Sequence, residues 1–195
     1  MIKVTIADVV QGEHKGHQVC GVILLDEVGH RLLPIWVGKW ESESIARGLR
    51  KHSHSRPLTF DFMANLLEAM GASLESIRIE AIREGRFHAV AQLKSGDRVR
   101  EVDARPSDAI ALALRLNSSI YVAEEVLEQA KLNVPVKELE PRQLGKGVEN
   151  IMRELESQQM RKEQKRQALS SLTQKEKEEG YQKLIAVMSG SRNFA

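Results

Sequence analysis

The sequence predicts an α+β fold, internally duplicated: a three-strand meander and its following helix are written twice into one compact domain, and a helical C-terminal tail follows. Three observations predict it. Residues 1–37 and 74–104 each hold three short runs that alternate apolar and polar side chains and are parted by turn residues, the pattern of half-buried strands. Each set gives way to a helical period. The nonapeptides SESIARGLR (42–50) and SDAIALALR (107–115) then start the first helix after each set; Ser, Ile, Ala, Leu and Arg recur in register, and Asp108 answers Glu43.

The first set runs IKVTIADVV, the Gly-bearing turn QGEHKGH, QVCGVILL, the turn DEVGH and RLLPIWV. A helix over about Trp40 to Arg50 has Ile45 and Leu49 as a narrow apolar stripe. After the loop KHSHSR, Pro57 suits the first turn of a second helix, in which Leu58, Phe62, Leu66 and Met70, with Met63 and Leu67, make a wide apolar face ending at Gly71. In the second strand set Ile77, Ile79 and Ala81 alternate with Arg78 and Glu80. REGR turns the chain into Phe87, Ala89, Ala91 and Leu93, and RVREVDA closes the set. The helix from Pro106 to Leu116 is apolar nearly all round, hence buried, and Asn117 is a left-handed stop. A short strand, SIYVA, and a short helix, EEVLEQA, complete a domain over 1–136.

A linker over 137–147 leads to a charged helical tail over 148–195. Leu144, Val148, Ile151 and Leu155 keep a 4-3-4 spacing that Gln158, Lys162 and Lys165 then break, too short for a coiled coil. Thr173 and Glu176 form a capping-box pattern for a helix to about Met188. RKEQKR (161–166) reads as a solvated helix face, with phosphate contact as its alternative. A protein partner for this tail is one expectation.

Composition sets bounds. An apolar content of 42% in 195 residues suffices for a core, and no run is long and apolar enough to cross a membrane. The alternation of the first residues is that of a strand and not of a signal peptide. One cysteine, Cys20 in the apolar run VCGVILL, excludes an internal disulfide and a multi-cysteine zinc site. A cytoplasmic protein is expected. The net charge of +2 is spread evenly, with 17 basic against 18 acidic residues over 1–136, so composition gives nucleic acid no support and does not exclude it.

No Walker loop, GxGxxG after a strand, HExxH or GxSxG is present. What remains is a set of carboxylates near helix starts: Glu41, Glu43, Asp61, Asp103 and Asp108. Two or three that converge can hold Mg²⁺ or Mn²⁺, which activates water and clamps a phosphodiester. The competing reading is offset of the helix macrodipole, which asks no other task of an acid in a first turn. Arg56 and Arg105 each precede a proline and a helix; each can grip phosphate or pair with a neighbouring acid. Ser107 and Thr59 suit amides at a helix mouth better than nucleophilic attack. His52 and His54 alternate like a metal pair without a third ligand. Trp36 and Trp40 flank a strand-to-helix turn, suited to packing or to stacking on a base.

LPIWVGKWESESIARGL, RPLTFDFMANLLEAMGA, REGRFHA and EVDARPSDAIALALRLNSSIYVAEEVL resemble the bifunctional nuclease family over about residues 1–135. The resemblance implies a compact α+β domain that self-associates as a dimer or higher homo-oligomer and a nuclease acting on DNA and RNA. It brings no settled catalytic set, so the positions carried over are those in matching motifs: Glu41, Arg56, Pro57, Thr59, Asp61, Asp103, Arg105, Pro106, Ser107 and Asp108. Phe60 stands where the family commonly has His. Two functions are then in view. One is a nuclease with Glu41, Asp61, Asp103 and Asp108 as catalytic acids, Glu41, Asp103 and Asp108 on the metal, and Arg56, Arg105 and Ser107 on phosphate. The other is a non-catalytic dimerising module whose tail recruits a partner.

Overall fold

In a computed structural model of the chain, residues 1–14, 17–26, 28–51, 55–132, 164 and 167 are described. The chain divides into two compact units, Met1–Met152 and Arg153–Ala195. In the second, Gln164 and Gln167 are helical. The stripe Leu144–Leu155, the Thr173–Glu176 pattern, His52 and His54 lie outside the described residues, as does all of RKEQKR except Gln164.

The first unit is mixed α and β. Strands β1 (Ile2–His14), β2 (His17–Asp26) and β3 (Arg31–Val37) form an antiparallel meander, and β4 (Ala72–Arg83), β5 (Arg86–Ser95) and β6 (Arg98–Ala104) form another. Strand β7 (Ser119–Val122) joins them, antiparallel to β1 and parallel to β4, in the order β3-β2-β1-β7-β4-β5-β6. Strand β1 serves both neighbours: Ile2–Val4 pair with β7, and residues from Thr5 onward pair with β2 across a register shift between Ile6 and Asp8. A bulge of this kind bends the strand, which lets one chain segment turn from one pairing to the other.

Helices α1 (Lys39–Leu49), α2 (Thr59–Ala69), α3 (Pro106–Leu116) and α4 (Glu124–Ala130) complete the unit. Helix α3 is the centre of the core, as its unbroken apolar surface predicts: Ile110 and Ala111 are wholly buried, and Ala109, Leu112 and Ala113 nearly so. Ile45 of α1, Ile77 and Ile79 of β4 and Leu127 of α4 are wholly buried around it; each such side chain contributes about 1.5–3 kcal/mol of transfer free energy. Pro106 occupies the first turn of α3, and Asn117 closes it at φ 52°, the left-handed stop expected. Beneath α1, only Ser42 and Ile45 are buried, so the first copy of the nonapeptide has the wet face its charges predict.

Three details differ from the sequence reading. Helix α1 is displaced one residue toward the N-terminus, with Arg50 as its C-cap. Strand β1 continues through Gln11–His14, read above as turn, because those residues pair with β2 as far as His14 opposite His17. Pro57 lies outside α2: Leu58 is the N-cap and Thr59 the first helical residue. Helix α2 also carries two apolar stripes. Phe60, Ala64 and Leu67, spaced four and three, pack on the core, while Leu58, Phe62, Leu66 and Met70 turn outward. Phe62 is 59% and Met70 68% exposed, so of the face read as the helix's apolar side Leu67 packs inward and the Leu58–Phe62–Leu66–Met70 row meets solvent.

Helix α4 is fastened by charge. Arg31 on β3 bonds Asp26 on β2 at 2.8 Å, Glu128 at 2.9 Å and Glu124. Asp26 is buried and also accepts the amides of Val28 and Gly29. Burial pushes its carboxyl upward, and the Gly29 amide, Arg31 and the Val28 amide outweigh this and hold it below the ordinary carboxylate range.

Candidate active site at two helix mouths

Helices α1 and α3 lie alongside with their N-termini together. Gly48 sits against α3, where an added Cβ would be 3.0 Å from Cβ of Leu114. Arg115, in the last turn of α3, donates to the carbonyls of Ser44 (2.7 Å) and Ala111 (3.1 Å). The mouths are joined by Arg105, the N-cap of α3. Its Nε and Nη2 donate to Asp108 Oδ2 and Oδ1 at 2.7 and 3.1 Å, a two-pronged grip, and its Nη1 donates to Glu41 Oε1 at 3.2 Å. Glu41 belongs to the first turn of α1 and folds back over Gly38, its N-cap; a Cβ on Gly38 would overlap the carboxylate.

The group is at the surface. Arg105 is 67% exposed, Glu41 24% and Asp108 34% at their side chains. The Asp108 hydrogen bonds first, then the Asp108 charge and Glu41, raise the Arg105 guanidinium further above its ordinary range, so it is a permanent cation. Ion pairs this open to water add little to stability. Two acids and a cation gathered at paired helix starts therefore have no large structural contribution to account for them. A cleft of about 340 Å³ opens beside them, lined by Gly38, Glu41, Arg86, Phe87, Arg105 and Ser107. A second, apolar groove of about 670 Å³ lies on the other side of Arg105 and Asp108, between α2 and the β5–β6 edge.

The other sequence-predicted residues are placed as follows. Ser107 is buried at the cleft wall. Asp61 is engaged in holding α2: its Oδ2 accepts the Leu58 amide at 2.9 Å, the reciprocal half of a capping box, and its Oδ1 accepts Arg115 Nε at 3.2 Å. Asp103 is exposed on β6 opposite Val90. Since Ala89, Ala91 and Ala104 face the core, strand alternation turns the Asp103 side chain to the far face of the sheet from α3. Arg56 and Thr59 are exposed ahead of and at the start of α2, and Arg56 forms no ion pair with another described residue. Glu43 is taken by Arg47 at 3.4 Å within α1. Phe60 is half-buried beneath Arg115, whose guanidinium carbon is 5.7 Å from the ring centroid. Trp36 packs over Gly21, and Trp40 is 73% exposed with Lys39 at 5.8 Å.

Glu41 and Asp108 thus converge, and Asp61 and Asp103 stand apart from them. Among the described residues no three His, Cys, Asp or Glu side chains are grouped as a metal site. Two residues of the site were missed by the sequence reading. Gly38 was detectable as a glycine at a helix mouth three places ahead of a glutamate. Arg115 was detectable as the residue that ends the nonapeptide 107–115, as Arg50 ends 42–50. Among the described residues no helix is long and apolar enough to cross a membrane.

An uncharacterized protein of Mycobacterium tuberculosis, found in two strains, is 45% identical over 115 residues, which cover 58% of this chain and 68% of that one. Bifunctional nuclease 2 of Oryza sativa subsp. japonica is 29% identical over 104 residues, 52% of this chain and 32% of the rice protein. The family model described as the bifunctional nuclease domain matches residues 22–135, a span that contains α1, α3 and all of the Glu41–Arg105–Asp108 group. On that match, the chain belongs to the bifunctional nuclease domain family.

Proposed function

We propose that the protein hydrolyses phosphodiester bonds of DNA and RNA at the Glu41–Arg105–Asp108 group. The observation that carries this reading is Arg105 held between two acids at adjoining helix mouths, exposed and beside a cleft. A guanidinium is a planar fork suited to phosphate, and the exposure of this one leaves it open to a phosphodiester that competes with Glu41 and Asp108 for it. When a phosphodiester draws Arg105 away, Glu41 and Asp108 lose their cation together. A pair of carboxylates completed by water and substrate phosphate is the usual protein share of an Mg²⁺ or Mn²⁺ site. Glu41 and Asp108 would hold that ion, and it would supply Lewis-acid activation of water. Arg105 orients the phosphate, and Gly38 fixes the carboxylate of Glu41.

The repeated nonapeptide and the flanking of β7 by two meanders support an origin by internal duplication. Strands β1 and β4 run oppositely, as a twofold axis through β7 requires. The helices depart from that axis, which would set them head to tail where the structure sets them mouth to mouth. That departure is what brings Glu41 to Arg105.

The test is hydrolysis of labelled DNA and RNA by purified protein in Mg²⁺, in Mn²⁺ and in EDTA, beside Asp108→Asn. Cleavage should require the cation, and the substitution should lower it about 100-fold, a loss of the size seen when a transition-state charge partner is removed. Cleavage that Asp108→Asn leaves unchanged assigns the activity to other residues.

A further inference from the structure

We propose that the site takes single-stranded nucleic acid and that a base next to the bound phosphate stacks on the Trp40 indole. The inference rests on the nuclease reading of the Glu41–Arg105–Asp108 group and adds which form of nucleic acid that group receives. Trp40 stands in the first turn of α1, one residue before Glu41, so its Cα is about 3.8 Å from that of an acid of the site. It is 73% exposed. A tryptophan contributes to a fold mainly through the roughly 150–250 Å² that its ring can bury, and here most of that area stays in water. Lys39 Nζ stands over the ring, 5.8 Å from its centroid. One face of the indole thus carries a cation, and the other is open to solvent.

Charge and ring geometry select the occupant. Lys39, Arg86 and Arg105 are all exposed at this mouth, and the last two line the cleft beside it. Arg105 is shared between Glu41 and Asp108, whereas Lys39 and Arg86 form no ion pair with another described residue. An open ring among uncompensated cations suits a strand: the ring takes the face of a base and the cations take phosphates to either side of it. In a duplex each base is stacked on both faces and paired at its edge, so an indole reaches a base face only where the strand is unpaired. Every base offers such a face, so the contact selects strandedness and not sequence, and it serves DNA and RNA alike. A protein partner is the other common use of an exposed tryptophan; the cations beside a phosphate-gripping arginine favour the strand.

The test is binding by the full chain in EDTA, which does not depend on cleavage. Fluorescence anisotropy is read on a labelled DNA strand of about 12 nucleotides, on its duplex and on an abasic strand of equal length. The natural strand should bind about 10-fold more tightly than either of the others. Trp40→Ala should weaken the natural strand about 10-fold and leave the abasic strand unchanged, while Trp40→Tyr, which keeps a ring, should retain most of the affinity. Arg86→Gln should reduce the slope of log affinity against log salt by about 0.7, the share of one phosphate; an unchanged slope removes Arg86 from the path of the strand. If Trp40→Ala fails to fold, the natural and abasic strands on wild type decide. A duplex or an abasic strand bound as tightly as the natural strand overturns the proposal. So does a folded Trp40→Ala that binds the natural strand as wild type does, which leaves the indole to a protein partner. Failure of the nuclease reading shows differently, as strand-selective binding with no hydrolysis in Mg²⁺ or Mn²⁺.

Discussion

Arg105 shows how one residue type supports two sequence readings and how geometry joins them. The sequence offered phosphate grip or acid pairing; the structure pairs it with Glu41 and Asp108, and its exposure keeps it available for the other role. Arg105→Lys retains the charge and loses the fork, so it should weaken nucleic-acid cleavage more than it changes melting temperature. Gly38→Ala is a finer probe: the added methyl overlaps the Glu41 carboxylate and moves it off Arg105. Activity should fall with the fold unchanged, read by cleavage rate against melting temperature. Asp26 marks a structural site. Its folded carboxyl lies below the ordinary range because the Gly29 amide, Arg31 and the Val28 amide outweigh burial, and Glu124 and Glu128 lie below it through their hydrogen-bonded cations, Arg31 for the first and Lys131 with Arg31 for the second. A depressed folded value stabilises above the unfolded one, and the gain is lost as pH falls through the folded value. Acid melts should therefore show stability dropping below about pH 4, with the drop reduced in Asp26→Asn, itself about 2 kcal/mol less stable at pH 7.

Among the elements, α2 and α3 differ in how far the sequence described them. Helix α3 is apolar all round, so any orientation buries it, and its bounds, first-turn proline and left-handed stop were all legible. Helix α2 has two apolar stripes, and periodicity alone does not choose between them; Arg115 does. By bonding Asp61 and covering Phe60 it turns the Phe60–Ala64–Leu67 stripe inward. That side chain is only 11% exposed, so Arg115→Ala should cost about 2–3 kcal/mol in denaturant unfolding and loosen α2 before the sheet in amide exchange. The α1–α3 contact makes a second claim. Gly48→Ala gains about 1 kcal/mol of helix propensity yet places a carbon 3.0 Å from Cβ of Leu114. Overpacking should win, and the melting temperature should fall.

For the molecule as a whole, local pattern revealed the strands and helices, and long-range pairing decided the rest. Alternation in 1–37 and 74–104 gave both meanders. Nothing local said that β7 would lie between them, since Ser119–Val122 is four residues whose partners are more than 40 positions away. The candidate site was legible as a list of acids and not as a group. Glu41 and Asp108 came together because α1 and α3 lie mouth to mouth; Asp103 was separated by the face of β6 it occupies, and Asp61 by its hold on α2. Whether phosphodiester chemistry belongs to the two acids around Arg105 is decided by Glu41→Gln/Asp108→Asn. Single-turnover cleavage of DNA and RNA by this variant, at matched melting temperature and with Mn²⁺ present, should be lower than wild type by at least about 100-fold; a rate equal to wild type would contradict the claim.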